Sequence, residues 1–199
     1  SGKTISNFRL YRPDWSHMGL FGAVRDSEIT DLTVSPGHVI TAGETAGILA
    51  GSVQDSVIRN VAVAGALKTA GNTGGIAGEI AGTVVENCTA DHVAMDLGKG
   101  KETFAGGITG KAAGSVISDC TVNTGDSLNA RIQGGGYVGG ITGFQNDTDI
   151  FNAHVMGTIG GSGSQAIGGV TGKYASGKMK VARFEGRIAS SGLGSSARE

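Results

Sequence analysis

Thr73-Gly74-Gly75-Ile76-Ala77-Gly78, followed after a short gap by Val85-Glu86-Asn87-Cys88-Thr89-Ala90, decides the fold, because variants of this pair of segments recur six times. The last glycine of each copy serves as an anchor: Gly22, Gly51, Gly78, Gly110, Gly143 and Gly172, spaced 29, 27, 32, 33 and 29 residues apart. Self-similarity at this period is the signature of a stacked-repeat architecture. Two residues before the anchors stand Leu20, Leu49, Ile76, Ile108, Ile141 and Val170. Seven after them come Ile29, Ile58, Val85, Ile117, Ile150 and Met179; ten after, Leu32, Val61, Cys88, Cys120, Ala153 and Ala182; twelve after, Val34, Val63, Ala90, Val122, Val155 and Phe184. These four columns are the expected core.

Position nine is Asp31, Asn60, Asn87, Asp119 and Asn152, until Val181 breaks the series. Apolar positions seven and ten lie three apart, so the chain must turn between them. Asn and Asp tolerate left-handed backbone geometry and supply that corner, and stacked amides can bond from coil to coil as Asn ladders do. The glycine pair supplies a second corner, where a Cβ is excluded or φ is positive. Asp26, Asp55 and Asp147, four after their anchors, form a column interrupted by Gly82 and Gly114 and read as turn residues.

Short β-branched runs bounded by Gly, Asn, Asp and Ser favour strands, and the density of glycine, 37 of 199 residues, disfavours helix. The reading is all-β: a parallel β-helix-like solenoid of about six coils, each with three short strands and Gly/Asn corners. One strand should lead into the anchor, one should span positions six to thirteen, and a weaker one should follow. Residues 1–188 form one solenoid domain, within which residues 1–10 read as a partial repeat, with Ile5 at position seven and Asn7 at the corner. Residues 189–199 read as a flexible linker or tail. A repeat that starts half-way suggests a fragment of a larger protein.

A formal net charge of −1 removes the long-range attraction that polyanions need, so nucleic acid is not an expected partner. No apolar run approaches the ~18 residues of a membrane-spanning helix, and membrane insertion is not expected. Cys88 and Cys120 occupy one column in adjacent coils, as free core thiols or, at a Cα separation of about 5 Å, as a disulfide. The four histidines lack zinc-site spacing, no glycine run has the sequence of a phosphate loop, and no cofactor is implied. Arg59 and Glu86 should pair across adjacent strands.

Where the copies differ, function is expected. The longest inserts, 97–103 and 123–136, make Lys99, Lys101, Glu102, Arg131 and Tyr137 the candidate binding residues. Tyr11 and Trp15, in a segment that interrupts the repeats, are candidate aromatic contacts or covers for the end of the apolar stack.

Met18-Gly19-Leu20-Phe21-Gly22 with Ile29-Thr30-Asp31-Leu32-Thr33-Val34, and the Gly-Gly-Ile-x-Gly copies paired with Ile58-Arg59-Asn60-Val61-Ala62-Val63, resemble GLUG repeats. Such repeats occur in large secreted and surface proteins of bacteria, including the N-terminal region of the immunoglobulin A-cleaving metallo-endopeptidases of Gram-positive bacteria. The resemblance spans roughly residues 5 to 188. It implies a noncatalytic module of an extracellular, secreted or wall-attached adhesin or peptidase-associated virulence protein. That module would be a spacer or a binding surface for host protein or glycan, next to other domains of its chain. The zinc motif of those peptidases is missing from this sequence, so no catalytic or metal residue carries over. Polysaccharide lyases and hydrolases also use β-helices; that alternative requires clustered carboxylates or basic residues in an outward groove.

Overall fold

The computed structural model describes residues 2–97, 102–125, 131–133, 136–161 and 164–190. They contain no helix, and their strands form three sheets, one of twelve strands and two of six, in which every pairing between coils is parallel. The protein is a β-solenoid of about six turns.

The third coil shows the plan. Asn72–Gly74 lies on the first six-stranded sheet, paired with Thr45–Gly47 below and Phe104–Gly106 above. Gly75 and Ile76 turn the chain. Ala77–Ala81 then runs on the second six-stranded sheet, between Ala50–Gln54 and Thr109–Ala113. Gly82, at φ +57°, makes the next corner. Val84–Glu86 begins the large sheet, Asn87 bends it at φ +51°, and Thr89–Leu97 completes the turn.

The course around the anchor differs from the sequence expectation. No single strand leads into the glycine: one strand stops four residues short, and a second straddles it. The cause is the missing side chains. A Cβ built on Gly74 would lie 2.0 Å from the Ala77 carbonyl oxygen and 2.5 Å from the Thr109 Cα, and one on Gly78 would lie 2.8 Å from the Ala46 nitrogen. The two strands therefore lie close against each other, with no room for a side chain at either glycine; the Gly78 position is also closed by the Thr45 Cγ2, 2.4 Å from where a Cβ would lie. Close approach, not positive φ, is what these positions require.

The second and third expected strands are one bent strand in three of the six coils, Val57–Thr69, Asp149–Gly161 and Met179–Ser190. The bend lies where position nine places it: Asp31, Asn60, Asn87, Asp119 and Asn152 all have φ between +47° and +54°. Asp26, Asp55 and Asp147 are left-handed too, in line with Gly82 and Gly114, which accounts for Asp and Gly sharing that column.

The four apolar columns face inward, and Ile76, Ile108, Ile141, Ile58, Val85, Ile117 and Ile150 have no exposed surface. Position two adds Val53, Ile80 and Ala112, then Gln145, buried among them. Its amide donates to the Thr148 carbonyl at 2.8 Å and its oxygen accepts from the Thr171 hydroxyl at 2.9 Å, so the substitution leaves no polar atom unpaired. Position five carries a ladder of hydroxyls. Ser56, Thr83, Ser115 and Thr148 each donate to the carbonyl two residues back, and Ser56, Ser115 and Thr148 accept an N–H from the coil below.

The outward amides form the expected ladder, in two pieces. Asn60 donates to Asp31 at 3.0 Å and Asn87 to Asn60 at 2.7 Å; Asn152 donates to Asp119 at 2.6 Å. Each Asn donates toward the preceding coil, and an ionised Asp has no proton to give, so Asp119 starts a new segment. Asp119→Asn is expected to join the two into one ladder and add about 0.5–1 kcal/mol, a rise of roughly 1–4 °C in melting temperature by calorimetry. An unchanged or lowered transition would show that the ladder does not bridge this step.

At the N-terminus, Lys3–Ser6 pairs with the first full coil, but Ile5 sits on Val34, at position twelve, rather than on Ile29. The register is set by Gly2, which lies over the Asp31 corner where a Cβ would come within 2.9 Å of the Asp31 oxygen. Phe8 and Leu10 pack half-buried against the core. At the other end, Ala189 and Ser190 still pair with Gly160 and Gly161, and residues 191–199 lie outside the described residues.

Candidate binding surface

Because the two glycine strands lie close against each other, the residue six before an anchor and the residue one after it become neighbours on the outside of the rod. Up the coils the first column reads Thr45, Asn72, Phe104, Tyr137, Ala166 and the second Ser52, Glu79, Lys111, Phe144, Lys173. Neither column keeps the repeat chemistry. In the third coil Asn72 donates to Glu79 at 2.6 Å and accepts from the Phe104 N–H of the next coil at 3.1 Å. Above it the seam becomes aromatic. The Phe104 ring stacks on Tyr137 with centroids 5.4 Å apart and on Phe144 at 5.1 Å, with interplanar angles of 20° and 27°. Lys173 caps the group, its Nζ 4.7 Å from the Tyr137 centroid and 5.5 Å from that of Phe144.

Phe104 is buried beneath its neighbours, whereas Tyr137, Phe144 and Lys173 are half-buried and keep surface toward solvent. Stacked rings are worth about 0.5–1.5 kcal/mol each beyond their area, and an exposed cation over a ring about 0.5–1 kcal/mol. The rings are thus already stacked on one another without a ligand, an arrangement that limits the entropy lost on binding.

Of the candidates from sequence, Tyr137 belongs to this cluster. Glu102 is exposed two residues before Phe104. Arg131 opens the strand Arg131–Gln133 and pairs through its backbone with Thr158. Lys99 and Lys101 lie outside the described residues. Both inserts end on the patch, one at Phe104 and the other at Tyr137. Tyr11 and Trp15 are at the other end of the rod, 58% and 55% exposed. The Arg12 guanidinium lies 5.5 Å from the Trp15 ring centroid, and both aromatics line a shallow cleft of about 410 Å³ with Arg9, Leu10 and the buried Met18. They flank the end of the stack more than they cover it.

Phe104, Phe144, Lys111 and Lys173 were not singled out by the sequence. The available signal was composition: aromatic residues make up only 5% of the chain, and three of them fall in two outward columns within adjacent coils.

The cysteines, Arg59 and two of the histidines make contacts within the fold. Cys88 and Cys120 are free and buried, donating to the carbonyls of Glu86 and Ser118 at 3.2 Å. The Cys120 thiol is pushed well above its usual range, first by its hydrogen bond with Cys88 and then by burial, and is held neutral. Arg59 bonds Glu86 at 2.7 Å, as the sequence suggests, and also reaches Glu28 at 3.4 Å; exposed pairs of this kind contribute about 0–1 kcal/mol. His92 is a left-handed turn residue beside Asp91, and His154 contacts Glu185 at 3.1 Å. Among the described residues no group of three or more His, Cys, Asp or Glu side chains is placed to hold a metal ion, and no helix is long and apolar enough to cross a membrane. Comparison with protein-family models, curated proteins and solved structures matches none of them to this chain.

Proposed function

We propose that the chain is a noncatalytic repeat module of a large secreted or cell-surface bacterial protein, a rigid spacer that presents a binding surface to a host protein or glycan. The observation that carries this reading is the Phe104–Tyr137–Phe144–Lys173 patch. The inward columns build the core and the Asn, Asp, Ser and Thr columns build the corners. This outward group is the place where the repeat pattern is replaced by aromatic rings and a cation. Pre-stacked aromatics with a polar edge suit sugar rings or the aliphatic and acidic side chains of a protein partner, and rigid aromatic clusters dominate the energetics of interfaces. The GLUG-like repeats and the two inserts that end on the patch support the same reading. Where the parent chain is a metallopeptidase, the module would serve in substrate recognition.

The test is a retention screen of immobilised protein against glycans and extracellular host proteins, repeated with Tyr137→Ala, Phe144→Ala and Lys173→Ala. A ligand bound by the wild type should lose about tenfold or more in affinity with Phe144→Ala or Tyr137→Ala, with a fall in melting temperature of only about 1–6 °C from the lost stacking, which leaves the protein folded. Retention unaffected by all three changes would overturn the assignment of the surface. Shortening of a polysaccharide that a single Asp→Asn or Glu→Gln change abolishes would overturn the noncatalytic reading.

A further inference from the structure

The outer face of the second six-stranded sheet carries a cleft of about 280 Å³ in the middle of the rod, lined by Ser52, Gln54, Glu79, Ala81, Lys111 and Ala113. Its floor is low because position three is alanine in two successive coils, Ala81 and Ala113, while position one beside it carries the longer Glu79 and Lys111. The column that forms this wall runs on into the aromatic patch: Glu79, Lys111, Phe144 and Lys173 stand in register, one per coil. Further coils at either end of the rod would stack on strand edges and leave this face uncovered.

The charges in that column do not satisfy one another. Glu79 accepts from the Asn72 amide at 2.6 Å. Lys111, half-buried one coil above it, makes no ion pair or side-chain hydrogen bond among the described residues. Lys173 lies over the Tyr137 and Phe144 rings, also without an acidic partner among the described residues. A half-buried ammonium without an anion carries a desolvation cost, which a carboxylate on a ligand would offset. Read along the rod, the order is acid, cation, ring, cation.

Equivalent positions stand about 4.8 Å apart from coil to coil, close to the advance of one sugar along an extended glycan, so each coil meets one sugar. An extended peptide brings a side chain to the same face only every second residue, about 6.6 Å, and falls out of step with the column. Carboxylates in step with Lys111 and Lys173 lie two sugars apart. The sugar between them meets the Phe144 ring, and the sugar below Lys111 meets the Glu79 carboxylate, which accepts from hydroxyls and repels a second acid. We propose that this face binds a linear glycan in which an acidic sugar alternates with a neutral one, a ligand class that rests on reading the aromatic patch as a binding surface. Lys111 and Lys173 pair with the carboxylates, Phe144 packs against the C–H surface of the neutral sugar between them, and Glu79 disfavours chains with an acid on every sugar.

The test titrates a labelled hyaluronan octasaccharide, in which glucuronate alternates with N-acetylglucosamine, against the full chain by fluorescence anisotropy. A polygalacturonate octasaccharide, acidic at every sugar, and an octaglutamate peptide serve as competitors. The hyaluronan probe should bind about tenfold or more tighter than either competitor, and its binding should weaken with salt. Lys111→Ala should weaken it about fivefold, whereas Lys68→Ala, which removes the same charge from the exposed surface of the large sheet, should leave it unchanged. Glu79→Gln keeps an acceptor for Asn72 and should raise the affinity for polygalacturonate, narrowing the preference. Equal binding of hyaluronan and polygalacturonate would overturn the alternating pattern, and hyaluronan binding indifferent to Lys111→Ala would overturn the site. A protein ligand lost with Phe144→Ala, in a chain that does not bind hyaluronan, would overturn the glycan assignment while the aromatic patch stands as a binding surface.

Discussion

Gly106→Ala is expected to destabilise the protein by about 3 kcal/mol or more, a fall in melting temperature of roughly 6–12 °C for a chain of this size. The new Cβ would lie 2.2 Å from the Thr109 oxygen, 2.5 Å from the Ile141 oxygen and 2.6 Å from the Thr142 Cα. All three are backbone atoms held in parallel ladders, so no side chain can move aside. Relief requires two sheets to separate, and with them the pairings of the fourth coil to the fifth. The chain contains its own control. Gly22 is an anchor glycine of the same repeat, but a Cβ there would find its nearest neighbour, the His17 oxygen, at 3.7 Å, an ordinary contact. Gly22→Ala should therefore be neutral or stabilise by up to about 1 kcal/mol, through the entropy removed from the unfolded chain. Thermal melts of the two variants side by side read the difference. Equal effects would mean that the glycines serve backbone flexibility and not close approach.

Ile76→Asp should leave no folded protein at 25 °C. Ile76 is fully buried at the corner between the two small sheets, stacked between Leu49 and Ile108, which are buried as completely. The substitution removes an aliphatic side chain whose loss alone is worth about 2–5 kcal/mol, and adds a carboxyl group with no partner in an apolar stack, a further several kcal/mol. Together these are comparable to the 5–15 kcal/mol that holds a typical domain folded. Loss of the far-UV β-signal and of solubility is the expected readout. A soluble variant with an unchanged melting curve would mean that this column faces solvent.

The inward columns were legible because each is apolar at a fixed offset, and burial demands the same chemistry in every coil. Position nine was legible for a related reason: only a few residue types accept left-handed geometry, so Asn and Asp mark the corner wherever they recur. Val181 shows the limit, since it takes the same φ without the signature. The split of the glycine strand into two was not legible, because Gly74 and Gly78 read equally well as flexible or as crowded. The N-terminal register was misplaced by Ile5, which sits on Val34 at position twelve; Asn7 does bend the chain left-handed, at φ +57°, but one residue past position thirteen and not at position nine.

The aromatic patch was hidden by topology. Tyr137 and Phe144 are seven residues apart, a spacing that puts two side chains on one face of a helix but on opposite faces of a strand, and Phe104 and Phe144 forty; they meet because two strands turn back on each other at a glycine pair. The sequence pointed to the inserts, which end on Phe104 and Tyr137, and so reached the border of the surface but not its rings.

The most direct measurement is a spin-label distance along one outward column. Thr30, Arg59, Glu86, Ser118, Phe151 and Lys180 stand in register, one per coil. With Cys88 and Cys120 replaced by alanine, the residue that the same column carries at Ala153, labels on Thr30→Cys and Lys180→Cys should lie about 24 Å apart, five spacings of ~4.8 Å. Moving the second label to Phe151→Cys should shorten the distance by one spacing, to about 19 Å. Distances that do not step with coil number would contradict an in-register parallel stack, and with it the columns on which the core, the corners and the binding surface rest.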